Sequence, residues 1–458
     1  MKVSRYNTFV YNEIDEVYLG YNAVSGGLYV FNEIQYREIE KILKDPNDNK
    51  TIEILKKKLI DAKFLIDEDF DEISFLKLKN RTARFNSNGL ALVITPTLNC
   101  NFNCPYCYVD REKITMSPET VNRVKNFFDL KLNKIDKASV CWTGGEPLIA
   151  LAVVEELTNH FRIMAGNSHV EFESSLITNG FLLNSEIIDR LLACGITNLQ
   201  VTLDGFDEFH NRYRSTKSGE KTFSIILKNI VEASNRGLKV IVRSNIEKIN
   251  YESVFKLIDT LAESGLNNEN ILVAPCPVMD VETSKGHYCG NCFNGKEFSA
   301  LEPHILSYAV KKGFKINKSL LSPINTFCGA NTASLFVIDA YANILKCWCN
   351  LGRSDNNKVG SISEDGKIQP DNLKGQMKWM SWDPFDIPEC KNCDVLPICM
   401  GGCMYYNVMG ETDSIDIGCS LRKYNLNEIL KLYYSFCKER GDKRLENFVV
   451  PGNLPDLA

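Results

Sequence analysis

Between residues 90 and 275, short apolar runs alternate with longer stretches in which apolar residues return every three or four positions. The runs at 90–95, 138–143, 170–178, 198–203, 240–244 and 271–274 are rich in β-branched residues and predict buried strands. Helical spacing falls between them, at 118–130, 150–165, 185–193, 223–236 and 251–264. This repeated order predicts an α/β core: a parallel sheet joined by right-handed crossovers. The first 88 residues follow another pattern. Strand-like runs at 8–19 and 28–31 meet across Ser25, Gly26 and Gly27, a hairpin signal. Asn32 is placed to cap a helix over 33–43 that carries Ile34, Ile39 and Ile42. A second helix over 51–61 puts Ile52, Ile54, Leu55 and Leu59 on one side. A short strand at 64–66 then leads into the acidic stretch DEDFDE, read as a solvated turn. At the far end, 426–439 predicts a helix with Leu430, Leu432 and Phe436 apolar, expected to pack on the core and carry no chemistry.

Composition narrows the function classes. A chain of 458 residues has material for two or three domains. Its 44% hydrophobic and 24% charged residues are ordinary for a globular protein. A net charge of −5 leaves no basic footprint, so nucleic acid is not an expected partner. No apolar run approaches about 18 residues and MKVSRYNTFV lacks a signal pattern, so no membrane partner is expected and the location is read as cytoplasmic. In that compartment seventeen clustered cysteines read as reduced thiols holding metal, not as disulfides.

The sharpest cluster is PTLNCNFNCPYCYVD, residues 96–110, directly after the first strand of the core. Cys100, Cys104 and Cys107 stand there on one short loop. Three thiolates can hold three irons of a cubane [4Fe–4S] cluster and leave the fourth open, whereas a structural zinc site or a self-contained cluster takes four protein ligands. The missing ligand implies a small molecule that completes the site. The competing reading is three buried cysteines without metal.

CxxxCxxC with an aromatic residue, Tyr106, before the last cysteine resembles the radical S-adenosylmethionine (radical SAM) superfamily. The resemblance implies a partial (β/α)6 TIM-like barrel with its site at the C-terminal strand ends, the rim where barrel enzymes place their chemistry. It also implies that the amino and carboxylate groups of S-adenosylmethionine chelate the open iron, and that one electron then yields a 5′-deoxyadenosyl radical. WTGGEP at 142–147 matches the family's GGE segment, which assigns Gly144, Gly145 and Glu146 to the cofactor's amino group; glycines let backbone approach a ligand closely. LITNG (176–180) and VTLDG (201–205) end the third and fourth strands. They offer Asn179, Thr202 and Asp204 to the ribose or methionine moiety, or serve as strand-end caps. Arg214 in HNRYR and Arg243 in VRSN are each either a partner for the cofactor carboxylate or a structural ion pair. Tyr106 completes the cofactor-binding set.

A second group of cysteines runs from 328 to 419, and its segment CKNCDVLPICMGGC resembles the SPASM domain, an extension holding two auxiliary [4Fe–4S] clusters. A zinc ribbon explains the CxxC pair but not the whole spacing. The resemblance implies Cys390, Cys393, Cys399 and Cys419 for auxiliary cluster II, and Cys328, Cys347 and Cys403 for auxiliary cluster I. With the barrel cluster, that makes three [4Fe–4S] clusters. Two departures stand out: Ala342 replaces the family's glycine, and no cysteine occurs over 321–327, just upstream of Cys328. Cluster I then takes Cys276, Cys289, Cys292 or Cys349 as its fourth ligand, or keeps an iron open to a substrate thiolate. His287, Cys289 and Cys292 (HYCGNC) have metal-like spacing and are a further cluster ligand, a separate metal site, or plain loop residues.

The front segment resembles the small winged-helix domains that recognise leader peptides in maturases of ribosomal peptides, where the leader adds as a strand to an exposed edge. The other reading is a cap over the barrel end. The expected organisation is therefore 1–88 winged-helix-like, 89–275 radical SAM core, 276–327 connecting segment, 328–424 SPASM domain and 425–458 helix and tail. The expected function is a peptide maturase that binds a precursor through its leader, takes a hydrogen atom from it and oxidatively forms a thioether or carbon–carbon cross-link, with flavodoxin or ferredoxin as reductant. A sulfatase-maturating enzyme that makes formylglycine is the alternative. That group places a carboxylate base after the second SPASM cysteine, where this chain has Trp348, and lacks such a front domain. A non-catalytic iron–sulfur carrier or sensor is the third reading.

Overall fold

The structure, a computed structural model, describes residues 1–48, 53–281, 286, 288, 290–353, 358–409 and 418–441. The front domain opens with strands β1 (Lys2–Val3), β2 (Asn7–Asn12), β3 (Val17–Asn22) and β4 (Gly27–Phe31). The run at 8–19 is two strands, not one. Asn12 Oδ1 accepts from the N–H groups of Ile14 (3.0 Å) and Asp15 (3.4 Å), folding the chain back as an Asx turn. The strands form an antiparallel sheet in the order β2-β3-β4, and β1 pairs with β5 (Leu65–Ile66). Helix Glu33–Lys44 starts at Asn32 as expected, with Asn32 and Gln35 capping each other's backbone N–H.

The first five residues of DEDFDE, 67–71, form the exposed turn expected, but the last, Glu72, already begins a helix. Asp71 caps a third helix, Glu72–Phe85, by accepting from Ile73 N and Ser74 N. Glu72 is buried and accepts from Ser4 Oγ (2.5 Å) and Arg5 N (3.1 Å). The hydrophobic pattern hides this helix because its buried stripe is mostly polar: Glu72, Asn80 and Arg84 lie on it with Leu76. Asn80 Nδ2 donates to Asn325 O (2.7 Å), and Arg84 donates to Met380 O (2.6 Å) and Asn331 O (3.3 Å) with Asp383 at 3.7 Å. The helix therefore docks by hydrogen bonds to the C-terminal half of the chain.

The core follows the predicted order. Strands β6 (Gly89–Ile94), β7 (Lys137–Trp142), β8 (Glu171–Thr178), β9 (Asn198–Thr202), β10 (Lys239–Ile246) and β11 (Ile271–Pro277) are parallel neighbours in sequence order. Helices Pro118–Leu132, Leu151–Asn167, Ser185–Ala193, Phe223–Asn235 and Tyr251–Glu263 connect them. This is the partial (β/α)6 barrel, packed around fully buried residues such as Ile94, Trp142, Leu176, Val201 and Val242. A short helix, Asp207–Tyr213, adds a turn that the periodicity did not indicate.

The C-terminal region continues the same sheet. β12 (Leu335–Ile338) pairs parallel with β6, and β13 (Asn343–Leu345), β14 (Gly360–Ile362) and β15 (Ile368–Gln369) follow antiparallel. The open barrel's first edge is thereby covered, which removes a free row of backbone donors and acceptors. Ala342, which replaces the glycine, has φ 63 and is fully buried. The position demands a left-handed backbone, so the family's glycine has a steric reason and alanine holds the turn at a strain of about 1–2 kcal/mol.

Helix Arg422–Glu439 lies along helix Gly295–Lys311 and touches β3; the expectation that it would pack on the barrel is corrected. Arg422 and Glu302 form a buried ion pair at this seam, and Asn425 Nδ2 donates to Glu302 (2.9 Å). One core joins Leu19, Tyr21, Leu28 and Leu76 of the front domain to Leu306, Leu396, Cys399 and Leu430. Among the described residues no helix is long and apolar enough to cross a membrane.

Candidate functional site

The three cysteines of residues 96–110 lie above the C-terminal ends of β6 and β7. Main-chain bonds fix their loop: Leu98 N donates to Ile114 O (3.1 Å), Met116 N to Pro96 O (2.9 Å) and Lys217 N to Asn101 O (2.9 Å). Arg111 reaches back to donate to Phe102 O (2.5 Å) and Cys104 O (3.4 Å). Cys100, Cys104 and Cys107 are all free thiols. They are mutual neighbours, and burial pushes the Cys104 thiol up to about 12, with Cys107 and Cys100 adding to the effect.

The GGE segment meets that loop directly. Gly145 N donates to Thr97 O (3.0 Å) and Glu146 N to Asn99 O (2.8 Å). A Cβ on Gly145 would stand 2.2 Å from Asn99 O, and one on Gly144 (φ +131) 2.5 Å from Thr95 Cγ2. Here the glycines admit the cysteine loop's own backbone. The Glu146 carboxylate is fully buried and accepts from Leu148 N (3.0 Å), Thr178 Oγ1 (2.8 Å) and Asn179 N (2.8 Å). Burial raises its pKa despite those bonds. It thus ties the end of β7 to the end of β8.

The other expected cofactor residues gather over the same rim. Asp204 and Tyr106 share a hydrogen bond, Arg214 Nη1 donates to Tyr106 Oη (2.8 Å) and stands 3.7 Å from Asp204. Asp204 Oδ1 accepts from Asn245 N (2.9 Å), and Arg243 Nε donates to Asn245 Oδ1 (2.9 Å). Asn179 Nδ2 donates to Asn101 Oδ1 (2.7 Å), and Thr202 is buried at the end of β9. His210, outside the expected set, organises this group. Its Nδ1 accepts from Asp204 N (3.3 Å), so Nε2 carries the proton toward Thr222 Oγ1 (3.0 Å), which donates to Arg214 O (2.7 Å). Burial, aided by Arg214, holds its pKa well below the ordinary imidazole value.

The residues fit the group that the resemblance implies. Three thiols stand on one loop, and buried polar atoms around them have no partner among the described residues: Thr95 Oγ1, Asn101 Nδ2, Arg214 Nε, Ser244 Oγ and Glu247 Oε2. A polar ligand would give such atoms partners that the described residues do not supply.

In the C-terminal region Cys390, Cys393, Cys399 and Cys419 line one small cavity, of about 20 Å³, with Gly401 and Lys423. Burial pushes Cys390 up to about 12 and Cys399 to about 11, so these thiols keep their protons until a metal displaces them. Cys328, Cys347 and Cys403 are neighbours as well, and Cys403 is pushed up to about 11. Among the described residues no three His, Cys, Asp or Glu converge tightly on a single-ion site. Of HYCGNC, His287 and Cys289 lie outside the described residues, and Cys292 is engaged in a disulfide, which removes it from the candidate cluster ligands.

One residue next to an expected ligand was missed. Tyr108 follows Cys107, is half-buried and packs against the groups that hold Cys107 on one side and Cys347 and Cys349 on the other, so it stands between the barrel cysteines and those of the C-terminal region. Adjacency in the chain was the available signal. Cys349, one of the expected candidates for the fourth ligand of cluster I, lies two positions beyond Cys347.

Residues 94–261 match the Radical SAM superfamily. The AdoMet-dependent heme synthase of Methanosarcina barkeri is 28% identical over 37% of this chain and 46% of its own length, so the chain spans about half of that relative. A cysteine-type anaerobic sulfatase-maturating enzyme of Clostridium novyi is 20% identical over 69% of this chain and 88% of its length. Among solved structures, anSMEcpe with bound AdoMet superposes with a TM-score of 0.58 at 19% identity, covering 78% of this chain and 96% of that one. Streptococcus suis SuiB bound to precursor peptide SuiA gives 0.52 at 16%, covering 91% and 98%. The cysteine loop on a partial barrel and the family match make residues 94–261 a radical SAM superfamily domain, whose sheet runs on into a cysteine-lined C-terminal extension within the fold shared with those two structures.

Proposed function

We propose that this radical SAM enzyme is a peptide maturase that oxidatively cross-links a ribosomally made precursor. The observation that carries the reading is the front sheet. β2 and β4 each pair only with β3 among the described residues, so each keeps one open edge, and the sheet shares a core with the segment holding Cys399. An extended leader can add to such an edge and be held in a fixed relation to the barrel. Proteins of the same fold are seen with peptides: anSMEcpe with a Cp18Cys peptide and SuiB with SuiA. The SuiB fit, over 91% of this chain, and the anSMEcpe fit, over 78%, both support a maturase fold; the front sheet is what favours the cross-linking reading over the sulfatase-type alternative.

When bound, S-adenosylmethionine and the Cys100/Cys104/Cys107 cluster supply a carbon-centred radical able to take hydrogen from an unactivated carbon. The chain supplies position and enclosure. Glu146 and its glycine neighbours hold the cysteine loop on the barrel rim, while His210 fixes Asp204 and Arg214 around Tyr106. Arg243 and Arg214 are the cations available to a cofactor carboxylate, and the orphaned atoms of Thr95, Ser244 and Glu247 offer further polar contacts. Tyr108 separates this chamber from the second cysteine group, the place for auxiliary clusters that accept an electron from the substrate.

The test is to incubate anaerobically reconstituted, reduced protein with S-adenosylmethionine and a short peptide encoded beside its gene. Formation of 5′-deoxyadenosine, with a product two hydrogens lighter and inert to a hydrazide, is expected. A hydrazide-reactive aldehyde would transfer the assignment to formylglycine formation. No 5′-deoxyadenosine from cluster-replete protein would leave an electron carrier.

A further inference from the structure

The family pattern leaves auxiliary cluster I one cysteine short, and the structure shows a fourth thiol at that place. Cys349 lies on the short turn Trp348–Asn350 that begins at Cys347. Its side chain is 3% exposed and packs with Val281 and Tyr405, with Cys347, Cys403 and Tyr406 against the same group. Cys347 packs against the same buried group as Cys349, two positions along the chain. Cys328 and Cys403 are in turn neighbours of Cys347, and Tyr406 lies beside both Cys403 and Cys349. Four thiols from three segments thus share one neighbourhood, Cys349 buried and the other three half-buried.

Of the other candidates, Cys289 lies outside the described residues. Cys292 is in a disulfide. Cys276 sits on β11 opposite Asn245 and is not among the residues packed around Cys349. A buried cysteine can be a mere small hydrophobe, but the adjoining residue argues otherwise. Asn350 is 0% exposed, and neither its Oδ1 nor its Nδ2 has a partner among the described residues. A buried amide without partners is rare in folded proteins and marks a group that the described residues do not provide. Hydrogen bonds to sulfur are a usual means of tuning an iron–sulfur centre.

We propose that Cys349 is the fourth ligand of auxiliary cluster I, closing it with cysteine. The inference rests on the assignment of Cys328, Cys347 and Cys403 to that cluster. Ligation exchanges the S–H bond for an S–Fe bond and releases the proton. A cluster closed in this way has no iron open to a substrate thiolate, so it passes electrons and does not grip the peptide.

The experiment uses full-length protein carrying Cys100→Ala, Cys104→Ala and Cys107→Ala, so that only the auxiliary clusters contribute. Iron is counted, and electron paramagnetic resonance spectra of reduced protein are recorded with and without cyanide, a probe for an open iron. The parent is expected to hold roughly eight irons, two cubanes, with a spectrum unmoved by cyanide. Cys349→Ser is expected to gain a cyanide-shifted component, or to lose roughly four irons while the remaining cluster keeps its spectrum. A cyanide shift in the parent itself overturns the proposal without recourse to any variant at Cys349. So does a Cys349→Ser protein indistinguishable from the parent. If Cys328→Ala, Cys347→Ala and Cys403→Ala each leave the iron count unchanged, the cluster I assignment itself has failed, a result separable from the other two.

Discussion

Replacing Glu146 by glutamine separates two accounts of the GGE segment. In this fold the carboxylate is a clamp: Oε1 accepts from Leu148 N and Thr178 Oγ1, and Oε2 accepts from Asn179 N. Glutamine keeps the shape but turns one acceptor into a donor. With its amide nitrogen at the Oε2 position it faces the Asn179 N–H, and at the Oε1 position it faces the Leu148 N–H. Only Thr178 can reverse its hydroxyl, so one buried backbone N–H loses its acceptor either way. A hydrogen bond to a charged group contributes about 1.5–3 kcal/mol, and a stranded buried donor costs about 1–3 kcal/mol. Part is offset because the amide no longer requires a charge to be buried, the cost that raises the Glu146 pKa. A net loss of about 2 kcal/mol follows, equivalent to about 4–8 °C in Tm for a domain of 150–250 residues. The assay is far-UV circular dichroism of cluster-loaded protein at a single scan rate, because unfolding of such a chain is irreversible. Protease nicking within 96–117 is followed in parallel, since Glu146 N also holds Asn99 O. An unchanged Tm and nicking rate, together with a tenfold loss of S-adenosylmethionine affinity, would show that the carboxylate faces the cofactor and would refute the clamp.

Three other outcomes follow from the same geometry. Gly145→Ala forces a Cβ to within 2.2 Å of Asn99 O, so the cysteine loop must lift; roughly four irons per chain should be lost, and a normal iron count would count against the docking. Arg84→Met removes two carbonyl bonds and a charge beside Asp383, but Arg81 remains 3.2 Å away, so the loss is about 3 kcal/mol, the low end for a broken buried pair, read from the urea midpoint; no shift would mean that the third helix of the front domain is not a strut. His210 has a depressed folded pKa, so its contribution to stability is fully present above the unfolded value of about 6.5 and is lost as pH falls toward the lower folded value. The Tm of the wild type should therefore fall more steeply below about pH 6.5 than that of His210→Gln, and parallel curves would exclude the buried neutral imidazole.

The sequence by itself determined the six parallel strands, five of their helices and the cysteine loop. Burial on both faces makes each parallel strand a continuous apolar run, and the cysteines advertise themselves by spacing alone. It concealed what rests on polar burial. Helix Glu72–Phe85 reads as surface because Asn80 and Arg84 face inward, where carbonyls of the other end of the chain satisfy them. Only tertiary structure decided that Glu146 and the glycines before it support the cysteine loop, that His210 orders the backbone at Asp204 and, through Thr222, at Arg214, and that Cys349 joins Cys347. Each of these facts is a contact between segments far apart in the chain or on different faces of a turn. Local pattern reports which residues are buried, whereas the partner each one meets depends on how the strands close and on what the extension lays across the open edge.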